Sequence, residues 1–317
     1  MQNYDFSEKS FFVTGGAGFI GSNIVEFLIN HGAKVTVYDN LQSGNYDLIK
    51  DFKEKGMTFI KGSTLDKGAL ISSLKSGSFE CLLHFAANPS VSFSGSSFDE
   101  GLGSTFNVLD SMRIADVKNI IFPSSGSVYG NANVRPTPEN YGPLKPISMY
   151  SGLKLGSEAI ISSFNSIYGI KYNIFRLANA VGKNMTHGVA YDFVKKLRFG
   201  QKELKVLGNG TQKKNYIAIE DILNAIFYIY SNSKYENDIF NLASDDQLSV
   251  KEIAELAVSL SGSNASITYE TQAEGWKGDV TDNFISNKKL IDAGVKLKMN
   301  SKQAVEYTLR LLFKNNI

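Results

Sequence analysis

The chain has 317 residues, enough for one large domain or two smaller ones, and 43% of them are hydrophobic, the share of a globular protein with a real core. Its 33 basic and 31 acidic residues leave a formal net charge of +2, which gives no electrostatic footprint for nucleic acid or an anionic membrane. No apolar run reaches the length of a membrane span; the polar N-terminus leads into a strand with no room for a signal peptide, and the single cysteine has no internal disulfide partner, so a reducing cytoplasm is the expected location.

The first predicted element is a buried strand at Ser10-Phe11-Phe12-Val13, a short apolar run bounded by a turn signal. The run Thr14-Gly15-Gly16-Ala17-Gly18-Phe19-Ile20-Gly21 follows, and then a helix with an apolar face over Ile24–Ile29. A glycine turn between strand and helix sets backbone N–H groups, those of Phe19 and Ile20 among them, at a helix N-terminus, where a pyrophosphate binds. Gly15 and Gly18 allow the tight turn and close phosphate approach, and Gly21 is expected to let helix pack on strand. A second strand, Ala33–Tyr38, ends at Asp39, 18 positions after Gly21. A carboxylate there accepts hydrogen bonds from both adenosine ribose hydroxyls and repels a 2′-phosphate, so the expected cofactor is NAD rather than NADP. Asn40 beside it suits a turn. The glycine triplet alone is weak; strand, turn, helix, strand and acid in register point to dinucleotide binding.

Further strands are expected at Thr58–Lys61, Cys81–Phe85, Asn119–Phe122 and Tyr172–Leu177, with helices at Asp66–Leu74, Leu102–Ala115 and Tyr150–Tyr168. Cys81 falls in an apolar run and reads as a buried, inert thiol. This alternation calls for an α/β fold with a parallel sheet covered on both faces, its ligands beyond the carboxyl ends of the strands. After about Gly182 the pattern loosens. Helices at Ala190–Phe199, Glu220–Tyr230, Ser249–Leu260 and Ser301–Phe313, a turn at Gly208-Asn209-Gly210 and a strand at Ile239–Leu242 suggest a smaller substrate lobe. The expected division is residues 1–182 for cofactor binding, with contributions from about 211–242, and 183–317 mainly for substrate.

Ser124-Ser125-Gly126-Ser127-Val128-Tyr129-Gly130 follows the strand ending at Phe122, and Tyr150-Ser151-Gly152-Leu153-Lys154 opens a long helix. Tyr150 and Lys154 are i and i+4 and share a helical face. Hydride removal from a secondary alcohol needs a base for the hydroxyl proton. A phenol titrates near ~10 in isolation, and a nearby ammonium is expected to lower that value. A serine hydroxyl can hold the same substrate oxygen in line.

These segments, with His84-Phe85-Ala86-Ala87 and Arg176-Leu177-Ala178-Asn179, resemble the extended short-chain dehydrogenase/reductase family, in its nucleotide-sugar epimerase/dehydratase branch. Weaker similarity continues through Gly208–Gln212 and Gly275–Val280. The resemblance implies a Rossmann-type doubly wound sheet with a smaller C-terminal substrate-binding lobe. It implies Tyr150 as general base, Lys154 on the nicotinamide ribose, and Ser125 as the hydroxyl partner. Ser127 is a second hydroxyl for the sugar, and Asn179 touches the sugar or its diphosphate. Phe85, Ala86 and Ala87 line the cofactor trough, and Ser63 stands where relatives carry an adenine-binding aspartate. His84 ends a buried strand and reads as structural rather than as an acid. The resemblance implies no metal.

Dehydratases of this group carry an Asp-Glu pair before the Val-Tyr-Gly, and decarboxylases a glutamate. Here those slots hold Gly126 and Ser127, which leaves oxidation at C4 of a nucleotide-diphosphate sugar, as a 4-epimerase or as a 4-dehydrogenase. UDP-hexose epimerases carry arginines near Lys214 and Trp276. Lysine lacks the planar fork of arginine and tryptophan has no charge, so these departures raise a GDP-linked hexose or heptose of bacterial capsule synthesis as substrate. The alternative is a non-catalytic NAD-binding regulatory protein on the same fold, which loss of Tyr150, Lys154 or Ser125 would have favoured. The helices Leu102–Ala115 and Tyr150–Tyr168 resemble those of a four-helix dimer contact and imply a homodimer or higher homo-oligomer.

Overall fold

A computed structural model describes residues 4–87 and 98–314 and divides the chain into two compact units. The first comprises residues 1–125, 149–176 and 226–240. Its strands are β1 (Ser10–Thr14), β2 (Lys34–Asp39), β3 (Thr58–Lys61), β4 (Cys81–His84), β5 (Asn119–Ser125) and β6 (Lys171–Leu177). Together with Asp238–Leu242 they form one seven-stranded sheet in the order Asp238–Leu242, β6, β5, β4, β1, β2, β3. The pairings of β1 with β2 and β4, of β2 with β3 and of β4 with β5 are parallel. The order reverses at β1, between β2 and β4, which opens a crevice at the carboxyl ends of those strands.

Phe11, Phe12 and Val13 are all buried because both faces of β1 are covered. Phe11 packs against Phe6 and Tyr230 on one face, and Phe12 against Tyr38 and Phe79 on the other. The helices of this unit are α1 (Phe19–Asn30), α2 (Lys67–Lys75), α3 (Ser104–Ala115) and α4 (Met149–Tyr168). Leu70 and Leu74 of α2, Val108, Leu109 and Met112 of α3, and Ile161 and Phe164 of α4 join Phe12, Leu82 and Phe122 in one core. Asp66 caps α2 by accepting from Ala69 N, and Asp116 ends α3 in the left-handed conformation. Cys81 is buried, and desolvation pushes its thiol up, which leaves it unreactive.

The second unit comprises residues 126–148, 177–225 and 241–317. Strand β7 (Asn179–Val181) pairs in parallel with Tyr216–Ala218, and Glu203–Val206 with Ser266–Tyr269. The helices α5 (Val189–Arg198), α6 (Ile219–Tyr230, of which residues 226–230 belong to the first unit), α7 (Val250–Ser261), α8 (Lys288–Asp292) and α9 (Ser301–Lys314) follow. Helix α7 opens with a capping box in which Ser249 and Glu252 bond reciprocally. Residues 126–148, expected in the first unit, lie in the second, and the returning segment of the first is 226–240 rather than about 211–242. Backbone pairing explains the first difference: Thr137 N donates to Phe284 O at 2.8 Å and Ser286 N to Thr137 O at 2.9 Å. No helix among the described residues is long and apolar enough to cross a membrane.

Candidate active site

The turn after β1 is closed by backbone. Gly15 has φ +70°, and its N–H donates to Tyr38 O at 3.0 Å. A Cβ at Gly15 would lie 2.5 Å from Ala86 N, because Phe85 N donates to Thr14 O and Ala86 N to Thr14 Oγ1. The segment Phe85-Ala86-Ala87 is thereby drawn against the turn. Gly21 serves the turn rather than strand packing, since its Cβ would lie 2.1 Å from Gly15 O. It is Gly16 that meets the sheet, with a Cβ position 2.7 Å from Val37 Cγ1.

Gly18 differs from the others. Its backbone is extended, at φ −83° and ψ −178°, and a Cβ there would meet only Gly15 O at 3.3 Å among the described residues. Packing therefore does not demand glycine at 18. It stands at the N-cap of α1, which has no side-chain cap and no acidic residue in its first turn. A bare N-terminus with positive dipole and no Cβ over it fits a pyrophosphate. Asp39 Oδ2 accepts from Ala17 N at 2.9 Å and Oδ1 from Leu41 N at 2.8 Å. A carboxylate has about four acceptor sites, so each oxygen retains capacity for a ribose hydroxyl. Asn40 is exposed and accepts from Gln42 N at 2.9 Å. Ser63 Oγ accepts from Leu65 N at 3.2 Å, and its carbonyl accepts from the Tyr38 hydroxyl. The residues present fit NAD, which supplies hydride acceptance and return when bound.

The same unit assembles the proposed catalytic side chains. Tyr150 and Lys154 lie on α4, one turn apart, and Ser125 ends β5. The Ser125 hydroxyl is bonded to the Tyr150 phenol. Burial pushes the Tyr150 phenol up to about 12, with the Ser125 hydrogen bond pulling the other way. The expected lowering by Lys154 is therefore not the dominant influence in the protein alone. The reason is where the ammonium sits: Lys154 Nζ donates to Pro123 O at 2.7 Å and lies 6.0 Å from the Tyr150 ring centroid. Burial brings Lys154 down to about 8, and the carboxylate of Glu158 opposes the fall.

Two charged residues beside this site carried no signal that sequence reasoning picked out. Glu158, one turn beyond Lys154, is buried and accepts from Arg176 Nε at 3.1 Å and Nη2 at 2.7 Å, and from Ser124 Oγ. The spacing of Tyr150, Lys154 and Glu158 at i, i+4 and i+8 was the available clue. His84 is structural: it is buried, and its ring bonds Thr14 Oγ1 at 2.8 Å. Burial, aided by the Lys154 charge, holds its imidazole down at about 3. The unfolded chain binds a proton near ~6.5 that the fold refuses, so stability is whole above that value and falls as pH drops toward the folded value. A loss of about 2 kcal/mol at pH 5 is expected from this group. Urea unfolding of wild type and His84→Asn between pH 7 and pH 5 checks it: the wild type should lose more stability than the variant.

The second unit holds the proposed substrate residues. Ser127 is half-buried in the turn Gly126–Tyr129, where Tyr129 Oη donates to Asn241 Oδ1 at 2.8 Å. A Cβ at Gly126 would stand 3.1 Å from Ile285 Cδ1, so packing disfavours a side chain in that slot. Asn179 is bonded through its side chain to the Tyr216 phenol. Lys214 Nζ donates to Asp279 Oδ1 at 2.6 Å and sits 4.8 Å over the ring of Trp276. Its charge is matched within the protein, and the indole beside it is exposed.

The sequence pattern of the NAD dependent epimerase/dehydratase family matches residues 11–243, and the chain belongs to that family. It is an enzyme whose cofactor is NAD. Among curated relatives, it is 30% identical to the UDP-glucose 4-epimerase of Corynebacterium glutamicum over 79% of this chain and 80% of that one. Among solved structures, it superposes on a UDP-galactose 4-epimerase with a TM-score of 0.85 at 32% identity, covering 96% of this chain and 99% of that one. The UDP-glucose 4-epimerase of Thermotoga maritima, solved with UDP-glucose, gives a TM-score of 0.88 at 27% identity over 96% and 99% of the two chains.

Proposed function

We propose that this enzyme inverts C4 of a UDP-linked hexose. The observation that carries the reading is the hydrogen-bonded pair of Tyr150 and Ser125, with Lys154 one turn along, on the unit that holds the glycine turn. Tyr150 takes the proton of the C4 hydroxyl, and Ser125 holds the same oxygen. Lys154 supplies a positive charge that favours the phenolate. Tyr150 then returns the proton once the keto sugar has presented its other face. Gly126 and Ser127 supply no second acid–base pair, which supports C4 redox chemistry over dehydration or decarboxylation. The relatives named above act, by their names, on UDP-glucose or UDP-galactose, and this supports a UDP-linked substrate.

Incubation with UDP-hexoses and with GDP-linked hexose and heptose tests the reading, with products followed by mass spectrometry and NADH absorbance. Conversion of UDP-glucose to its C4 epimer at unchanged mass is expected. Loss of two hydrogens with net NADH would make the enzyme a 4-dehydrogenase instead, and turnover of GDP-sugars alone would overturn the UDP assignment. Exposed Phe106 on α3 and exposed Ile167 and Tyr168 on α4 support a homodimer through these helices. Sedimentation should give twice the chain mass, and Ile167→Glu should shift it toward the monomer.

A further inference from the structure

Three consecutive residues at the end of β5 each engage one residue of a single face of α4. The Pro123 carbonyl accepts from Lys154 Nζ, Ser124 Oγ donates to Glu158, and Ser125 bonds Tyr150. Tyr150, Lys154 and Glu158 are spaced by four residues, so the helix meets the strand end as a row. The last of the three is the only carboxylate in it. Glu158 is 4% exposed and is held by both a fork of Arg176 and a serine hydroxyl. The Arg176 guanidinium and the Ser124 hydroxyl both donate to this carboxylate.

We propose that Glu158 is a positioning residue for the reaction: its buried carboxylate, clamped by Arg176 and Ser124, keeps the Lys154 ammonium charged and seated beside Tyr150. The proposal rests on the roles given above to Tyr150 and Lys154. Lys154 sits in a site that works against its charge. It is buried on the Phe122 ring face, with Nζ 4.7 Å from the centroid. From β4 it faces His84, which is neutral and offers no negative charge. From β5 its Nζ meets the Pro123 carbonyl, which carries no charge. On its own helix it faces Tyr150, protonated at neutral pH, and Glu158. Arg176 on β6 adds a like charge, which Glu158 shields through its bidentate pairing. Glu158 is thus the group that opposes desolvation of the ammonium, which otherwise falls to about 8.

The test follows the Lys154 side-chain carbon by NMR in protein carrying labelled lysine, assigned with Lys154→Met, with NAD bound and no sugar. The wild-type midpoint is expected near 8. Glu158→Gln should lower it by roughly 1–3 units, the size of one close opposite charge. The paired variant Glu158→Gln with Arg176→Met leaves no unpaired guanidinium, folds more readily than Glu158→Gln alone, and should lower it as well. Ser124→Ala retains the carboxylate and should leave the midpoint in place. The alkaline limb of turnover should move down with the midpoint in the first two variants. An unchanged midpoint in both Glu158 variants overturns the proposal, and so does an equal fall in Ser124→Ala, which would assign the effect to packing. The titration is read without a sugar. Full turnover by Tyr150→Phe would therefore defeat the catalytic reading while leaving this result standing.

Discussion

Tyr150→Phe is expected to lower turnover by about 10²–10⁴-fold, the contribution of a positioned general base, while NAD stays bound. The phenyl ring keeps the half-buried packing of the tyrosine, and the glycine turn is held by β1, β2 and the Phe85–Ala86 segment, none of which touches the lost oxygen. The effect is large because the protein alone holds the phenol up at about 12. Ionisation near neutral pH thus needs the Ser125 hydrogen bond and the positive charges of Lys154 and the oxidised cofactor together. Lys154 gives the pH dependence its sign. The ammonium is the useful form, so turnover should decline as pH rises through about 8. Steady-state rates across pH, with bound NAD and circular dichroism as controls, check both statements. A variant with wild-type turnover would remove Tyr150 from the chemistry.

The second large effect is on stability. Arg176→Met is expected to cost about 3–5 kcal/mol, the usual result of removing one partner of a buried ion pair. Arg176 and Glu158 have side chains 4% and 5% exposed, so water does not replace the lost guanidinium. The buried carboxylate then keeps the Ser124 hydroxyl as a donor and has lost its bidentate fork. Adding Glu158→Gln should recover most of the loss, because two neutral side chains of similar size need no partner charge. Urea denaturation of the single and double variants measures this as a coupling between the two sites. Losses that simply add would mean that the pair contributes little.

The elements that carry the proposed cofactor site were legible because they obey local rules. Strands β1 to β6 begin and end within a few residues of the apolar runs that mark them. Helix α1 starts at Phe19 rather than Ile24, because the glycine turn itself forms its N-cap and leaves no polar cap residue to read. The paired strands Lys213–Lys214, Leu248–Ser249 and Asp282–Asn283 escaped notice for a different reason. Two residues have no periodicity, and their register is set by partners far along the chain. The same holds for charge. Lys214 reads only as standing near an arginine of relatives, and its partner Asp279 lies 65 residues away. Glu158 looked like an ordinary helical charge, since nothing local separates a solvated glutamate from a buried one. Arg176 is the one charged residue within the apolar run Tyr172–Leu177. A charge there must have a buried partner, and only the fold reveals which.

Asp39 joins two tasks that cofactor engineering treats as separable. One carboxylate oxygen fastens the glycine turn through Ala17, and the other fastens the following loop through Leu41. Gly44 crowds the same oxygen: a Cβ there would lie 3.0 Å from Asp39 Oδ1. An exchange that removes both oxygens to admit a phosphorylated ribose also removes the acceptors of Ala17 N and Leu41 N, and so unfastens the turn proposed to receive the pyrophosphate. Selectivity in this chain is therefore mechanically tied to preorganisation. Conversion to the phosphorylated dinucleotide by such an exchange would need a second change that re-anchors Ala17.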